Sequence, residues 1–238
     1  MKELLVMQPL GYVLAALLAA LCGYLIGSIN GAILTVRVFK GVDIRDYGSK
    51  NAGLTNTIRC FGKGCGIVTL IIDLGKGAAA IALTLLLSNL LGWAPIEDGG
   101  GNDYRWLGFL AAAFAILGHM KPIYHKFHGG KGVLVGVSVF LVINPLTFLI
   151  LMSIFGLMLW RTKYVSLSSI VATLCVIPTT FLLEIFLRGT DMGMALLYTA
   201  IVAVMAAMIV SCHHENIKRL KAGTERRIGD PKPKDSEK

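Results

Sequence analysis

Long uncharged apolar runs alternate with short polar segments along most of the chain. Leu10 to Val36 carries no charge before Arg37, and Ala78 to Ile96 carries none either. Leu107 to Met120, Val133 to Trp160, Val165 to Leu183 and Met192 to Cys212 are the other runs. A membrane-spanning helix needs about 20 apolar residues, and most of these runs are long enough alone. The pattern predicts an all-α fold: a polytopic transmembrane helical bundle, one integral membrane domain over residues 1–238. The first run is longer than the apolar core of a signal peptide, and Met1 to Pro9 offers only Lys2 against Glu3 as a basic start. It is therefore expected to be a true span.

Composition agrees. Of 238 residues, 55% are hydrophobic, more than the roughly 45–50% of a soluble domain with Gly included. No soluble domain of comparable size is left over. The net charge of +9 would suggest nucleic acid in a soluble protein. No basic stripe interleaved with aromatics accompanies it, so nucleic acid is excluded as a partner, and the charge reads as the positive-inside bias of membrane proteins. Cys22, Cys60, Cys65, Cys175 and Cys212 form no C-x-x-C pair and no zinc-spaced cluster, so free thiols are expected.

Loop charge predicts topology. The segments Arg37–Lys63, Lys121–Lys131 and Arg161–Lys163 and the tail from His213 are basic, whereas Trp93–Arg105 has no basic excess. With the basic segments in the cytoplasm, Met1 lies outside and the C-terminus inside, the residues beyond about 229 forming a flexible end. Arg161 returns to the cytoplasmic side only if 132–160 crosses an even number of times. Asn144-Pro145, near its middle, favours a turn. Splitting the run there gives seven spans. Each half has about 13 residues, or roughly 20 Å of helix against a core of roughly 30 Å. The alternative is one long tilted helix and six spans.

The polar segments between runs carry the candidate chemistry, and this topology puts them on one side. Gly48–Asn56, followed by Arg59, offers Ser49, Asn51, Thr55 and Asn56 as donors. A helix beginning there would set Thr55 and Arg59 on one face, a suitable anion site; an ordinary capped loop is the bland alternative. Asp73 and Lys76, in or at the edge of the second span, either face a polar cavity or simply pair with each other, since buried charges are costly. The two readings stand equal. Gly118-His119-Met120-Lys121-Pro122 is followed by Phe127-His128-Gly129-Gly130-Lys131-Gly132, whose Gly-Gly-Lys-Gly stretch can form a nest of N–H groups with Lys131 as a point charge, or a flexible turn. It lacks P-loop spacing. Ser166–Ser169 could be mere helix caps. His213–Arg219 could be interfacial anchors. There is no H-x-x-x-x-D, no G-x-S-x-G, no H-E-x-x-H and no carboxylate cluster suited to a divalent metal. Donors and cations suited to phosphate, placed beside lipid, suggest a substrate with both phosphate and acyl chain.

These segments, taken in order, resemble the bacterial acylphosphate:glycerol-3-phosphate acyltransferase family, PlsY. The matching pieces are Gly48–Arg59, Asp73–Gly77, Gly118–Pro122 with Phe127–Gly132, Ser166–Ser169 and His213–Glu225, and they cover nearly the whole chain. One departure is Lys50, where the family's loop more often has Gly. The resemblance implies seven spans in a bacterial inner (plasma) membrane, with a cytoplasmic active site and no cofactor or metal. It implies transfer of a fatty acyl group from acyl phosphate to glycerol 3-phosphate, giving lysophosphatidate by direct transfer without a covalent intermediate. The soluble enzyme that makes acyl phosphate is a candidate partner. Asn216, His213 and Ser166 would be catalytic. Ser49, Asn51, Thr55, Asn56, Arg59, Lys76, His119, Gly129, Gly130, Lys131 and Gly132 would bind substrate. The proton acceptor is either the donor's own phosphate or His213. The competing function is a membrane transporter for an organic phosphate; no internal repeat of two halves supports it.

Overall fold

The computed structural model describes residues 2–93 and 105–230, with side chains from Pro9 onward. The expected acidic loop residues Glu97, Asp98 and Asp103, and the tail beyond 230, lie outside the described residues. Ten α-helices follow in chain order: α1 Lys2–Gly27, α2 Gly31–Lys40, α3 Leu54–Leu90, α4 Arg105–Met120, α5 Val133–Ser138, α6 Phe140–Ile143, α7 Pro145–Thr162, α8 Val165–Leu182, α9 Met192–Ser211 and α10 His214–Lys221. There is no strand among the described residues. Six stretches are long and apolar enough to cross a membrane, and Val133–Ile143 is a shorter apolar one.

The first apolar run is not one helix. It breaks at Ser28-Ile29-Asn30, where buried Asn30 accepts from Ile33 N at 3.0 Å and caps α2. The second candidate span, α3, begins at Leu54 rather than near Ala78, and turns sharply at Gly62, whose φ of 83° suits a residue without a Cβ.

The break predicted at Asn144 is present, but the halves are unequal. Asn144 is the N-cap of α7, accepting from Thr147 N at 3.3 Å, and Pro145 takes the first turn, where its missing N–H costs nothing. Helix α7 has 18 residues. Val133–Ile143 at about 1.5 Å per residue reaches roughly half the thickness of the hydrocarbon core.

The tightest packing joins α1 to α4. Ala15, Ala19, Gly23 and Gly27 recur every fourth residue on α1 and meet Ala111, Ala112, Ala115 and Gly118 of α4. A methyl on Gly27 would collide with the Ala115 carbonyl, and one on Gly118 with the Tyr24 carbonyl. Small residues let the backbones approach, which is how helices associate in lipid, where apolar burial gives little drive.

The two ends of the bundle differ. At one end the connecting segments gather. Arg45 Nη1 donates to His125 O at 2.9 Å and to His128 O at 3.1 Å. Ile228 N donates to Lys163 O at 2.9 Å. At the other end a π-helical turn, Leu183–Leu187, holds the fully buried Glu184. Arg105 Nη1 donates to its Oε2 at 2.8 Å, and Thr190 Oγ1 to the same oxygen at 2.7 Å. Arg188 Nη2 reaches Ile143 O at 2.7 Å, so the short segment 133–143 meets this far end through a long side chain.

Candidate active site

The gathered end opens into a cavity of about 730 Å³. Twelve of the residues singled out from sequence line it: Ser49, Asn51, Thr55, Asn56, Arg59, His119, Gly129, Lys131, Gly132, Ser166, His213 and Asn216. They come from two loops and from the ends of α3, α4, α8 and α10, so they are far apart in sequence and adjacent only in space. From this polar end the cavity deepens between α5, α7, α8 and α9 and becomes apolar, with Val137, Phe155, Val176 and Met205 among its walls.

The loop 48–53 is fixed by Asn56. Its Oδ1 accepts from Ser49 N and its Nδ2 donates to Tyr47 O, both at 3.0 Å. Asn56 is 2% exposed, so it mainly shapes the loop. Lys50 stands here at φ 58°. An L-residue pays roughly 1–2 kcal/mol for this left-handed conformation, which accounts for glycine being the easier choice at this position.

Two expected contacts of substrate do not reach the cavity. Lys76 does not line it. Its Nζ sits 2.8 Å from Asp73 Oδ1, 2.8 Å from Ile29 O and 2.7 Å from His119 Nδ1. Asp73 Oδ1 also accepts from Gly31 N at 3.1 Å. The ammonium is thus consumed in tying α3 to the break between α1 and α2 and to the end of α4. Because Lys76 donates to His119 Nδ1, the proton of this histidine sits on Nε2. Gly130 lies outside the lining as well. A methyl on Gly130 would collide with His119 Nε2, so the glycine lets the loop 129–132 rest on the buried triad.

The tail completes the polar end. Gly223, at φ 67°, turns the chain back, and Glu225 enters between α8 and α10 with its side chain 8% exposed. Its Oε1 accepts from Ser166 Oγ at 2.7 Å and from Asn216 Nδ2 at 2.6 Å, and its Oε2 from Arg219 Nε at 2.7 Å. Lys131 Nζ donates to the other side of the same amide, Asn216 Oδ1. Among the described residues no carboxylate pairs with Arg59, Lys131 or Arg226. The site therefore presents three cations without an ion-pair partner, around one carboxylate, Glu225, that Ser166, Asn216 and Arg219 already hold.

Burial pushes Lys131 down to about 8, partly offset by Glu225. Burial, helped by Lys131, pushes His213 down to about 4, so its ring is neutral at pH 7. His213 Nδ1 lies 2.8 Å from Ile209 O. A carbonyl only accepts, so Nδ1 carries the proton and Nε2 keeps a free lone pair. Burial works to raise Glu225, but the donors Ser166, Asn216 and Arg219 prevail and hold it below the usual range.

The family model for glycerol-3-phosphate acyltransferases matches residues 17–223. The chain belongs to this family. The acyltransferase of Salinibacter ruber is 38% identical over 217 residues, covering 90% of this chain and 92% of the relative. That of Staphylococcus carnosus is 35% identical over 212 residues, covering 89% and 96%. Two crystal structures of PlsY, an integral membrane glycerol 3-phosphate acyltransferase, are similar at 32% identity and cover 90% of this chain. The glycerol 3-phosphate form has a TM-score of 0.70 and 96% of its own chain covered; the lysophosphatidic acid form has 0.69 and 95%.

Among the residues of this acyltransferase to which sequence reasoning gave no site role, Glu225, Arg219 and Arg226 matter most. Glu225 lies nine residues from Asn216, and nothing in residue spacing brings the two together. The available signal was Gly223, a turn residue after a short basic helix.

Proposed function

We propose that this chain transfers a fatty acyl group from acyl phosphate to glycerol 3-phosphate, forming lysophosphatidate. The observation that carries the reading is the cavity itself: one end has unpaired cations and fixed donors, and it continues into an apolar depth between helices. A substrate with a charged head and an acyl chain fits both halves. The transporter reading has no such support, since the donors cluster at one end rather than at mid-bundle.

In this reading Arg59 and Lys131 bring two anions together and offset their repulsion. Acyl phosphate is a mixed anhydride and needs no covalent activation by the enzyme. The glycerol hydroxyl oxygen attacks the acyl carbonyl carbon, the bond from that carbon to the phosphate oxygen breaks, and phosphate leaves. Asn216 gives one Nδ2 hydrogen to Glu225 and keeps the second for the developing oxyanion. Ser166 spends its hydrogen on Glu225, so its oxygen is left to accept from the glycerol hydroxyl. His213, held near 4, is a weaker base than departing phosphate, since even a phosphate monoester has its second ionisation at about 6. The phosphate takes the proton, and His213 Nε2 orients a hydroxyl.

The purified protein, given acyl phosphate and glycerol 3-phosphate with a chelator present, should form lysophosphatidate with intersecting initial-rate plots. Parallel plots with an acyl group trapped on Ser49, Ser166 or Ser168 would refute direct transfer. Uptake of an organic phosphate into proteoliposomes without acyl transfer would refute the enzyme altogether.

Lys131 gives a pH prediction. Its ammonium, held down to about 8, is present below that pH and lost above it. Turnover should fall as pH rises through about 8. Lys131→Arg, if active, should carry turnover flat beyond that point, because guanidinium stays charged. An unchanged limb in Lys131→Arg would assign the titration to another group.

We also propose one domain with seven crossings, N-terminus outside, and the active site and tail in the cytoplasm of a bacterial inner membrane. Support comes from the basic loops gathering at the cavity end, and from both ends of 133–162 lying there. In a variant lacking native cysteines, Met192→Cys should react with an impermeant thiol reagent from outside intact cells, and Arg161→Cys only after permeabilisation. The reverse pattern would invert the topology.

A further inference from the structure

The apolar part of the cavity has a floor. Four of the helices around it, α6, α7, α8 and α9, offer their deepest lining residues at a similar distance from the polar end. Phe140 lies eight residues past Gly132, Val176 ten past Ser166, Val202 ten before Cys212, and Leu151 ten before Arg161. At about 1.5 Å per residue this is a depth of about 12–15 Å. All four are closed in, with exposures of 2%, 6%, 0% and 4% respectively.

The next turn of each helix lies outside the cavity. Ile143, Thr180, Tyr198 and Thr147 follow those four residues by one turn away from the mouth. All are buried, and none lines the cavity. Tyr198 stacks on Phe109 with ring centroids 4.6 Å apart, and Arg105 lies over its ring at 5.2 Å. The same Arg105 is paired to Glu184. The material under the floor is therefore held by a stacked aromatic pair and an ion pair whose carboxylate is fully buried.

We propose that Phe140, Leu151, Val176 and Val202 form a ruler that sets the longest acyl chain the enzyme transfers efficiently. The proposal rests on the acyltransferase reading above. A chain that reaches the floor buries all of its methylenes against apolar walls. A longer chain must push side chains off their rotamers in a close-packed interior, or bend out of the cavity into lipid. Phe140 is the largest of the four and contributes most to the height of the floor.

The test is kcat/KM of purified protein for a series of saturated acyl phosphates, dodecanoyl through octadecanoyl, with glycerol 3-phosphate as acceptor. The wild type should show a drop of roughly ten-fold or more at one chain length, the scale on which hydrophobic pockets discriminate methylenes. Phe140→Ala should move that drop to longer chains and Val176→Phe to shorter ones, with KM for glycerol 3-phosphate unchanged in both. If Phe140→Ala does not yield monodisperse protein, Val176→Phe decides, and the wild-type profile stands independently of either variant. A flat wild-type profile would overturn the ruler and point to chains that bend into lipid. So would a drop that stays in place in a folded variant. No transfer from any of these acyl phosphates would instead sink the acyltransferase reading itself.

Discussion

Replacing Arg59 with lysine should cost about 2–4 kcal/mol of transition-state stabilisation, or a loss of kcat/KM of roughly thirty- to a thousand-fold. Arg59 lines the polar end, is half buried, and has no ion-pair partner among the described residues. A cation left unpaired at the edge of an apolar space is costly unless a ligand completes it. Lysine keeps the charge but loses the planar fork that grips two phosphate oxygens at once. Arg59→Ala should lose more than Arg59→Lys, because it removes the charge as well. The measurement is steady-state turnover with both substrates varied, together with the melting temperature in detergent. Near-normal turnover in Arg59→Ala would remove Arg59 from the phosphate site. A loss of turnover with an equal loss of melting temperature would make its role structural.

The second large effect is on stability. Lys76→Met should destabilise the fold by about 3–5 kcal/mol, because it leaves Asp73 buried with its charge uncompensated. Asp73 and Lys76 side chains are 2% and 3% exposed. The lysine has no other outlet than Asp73, Ile29 O and His119. The double variant Asp73→Asn with Lys76→Met should recover much of the loss, since removing both charges of a buried pair is far cheaper than removing one. If Lys76 instead touched substrate, Lys76→Met would raise KM for glycerol 3-phosphate with the melting temperature intact. That result would return Lys76 to the substrate-binding residues.

Lys76 shows why part of the site was not readable in advance. At i, i+3 from Asp73, it fitted a buried pair and a polar cavity equally well. The choice depends on whether another backbone arrives to take the remaining ammonium hydrogens. Ile29, at the break between α1 and α2, is 47 residues away. Its carbonyl is available only because Asn30 interrupts the first apolar run, a polar residue that hydropathy alone absorbs into a span. His119 and Gly130 follow the same logic. Their residue types suit an anion nest, yet His119 Nδ1 is taken by Lys76, and Gly130 is a glycine because His119 Nε2 stands beneath it.

What the sequence determined by itself was whatever depends on solvent and on chain-local chemistry. Runs of apolar residues must be helical in lipid because no water satisfies their backbone groups, so the all-helical bundle was legible. The break at Asn144-Pro145 was legible from cap and proline chemistry. Cations and small donors in the polar connections were legible as candidates, and most of the predicted residues do line one cavity. Tertiary structure decided which of them compete for one another. Glu225 comes to Ser166, 59 residues away, through a turn and a tail strapped to the α7–α8 connection. Lys76 turns inward. The depth of the cavity is fixed where four helices bring Phe140, Leu151, Val176 and Val202 to one level. Each of these outcomes depends on contacts between segments distant in sequence, and local pattern carries no information about such distances.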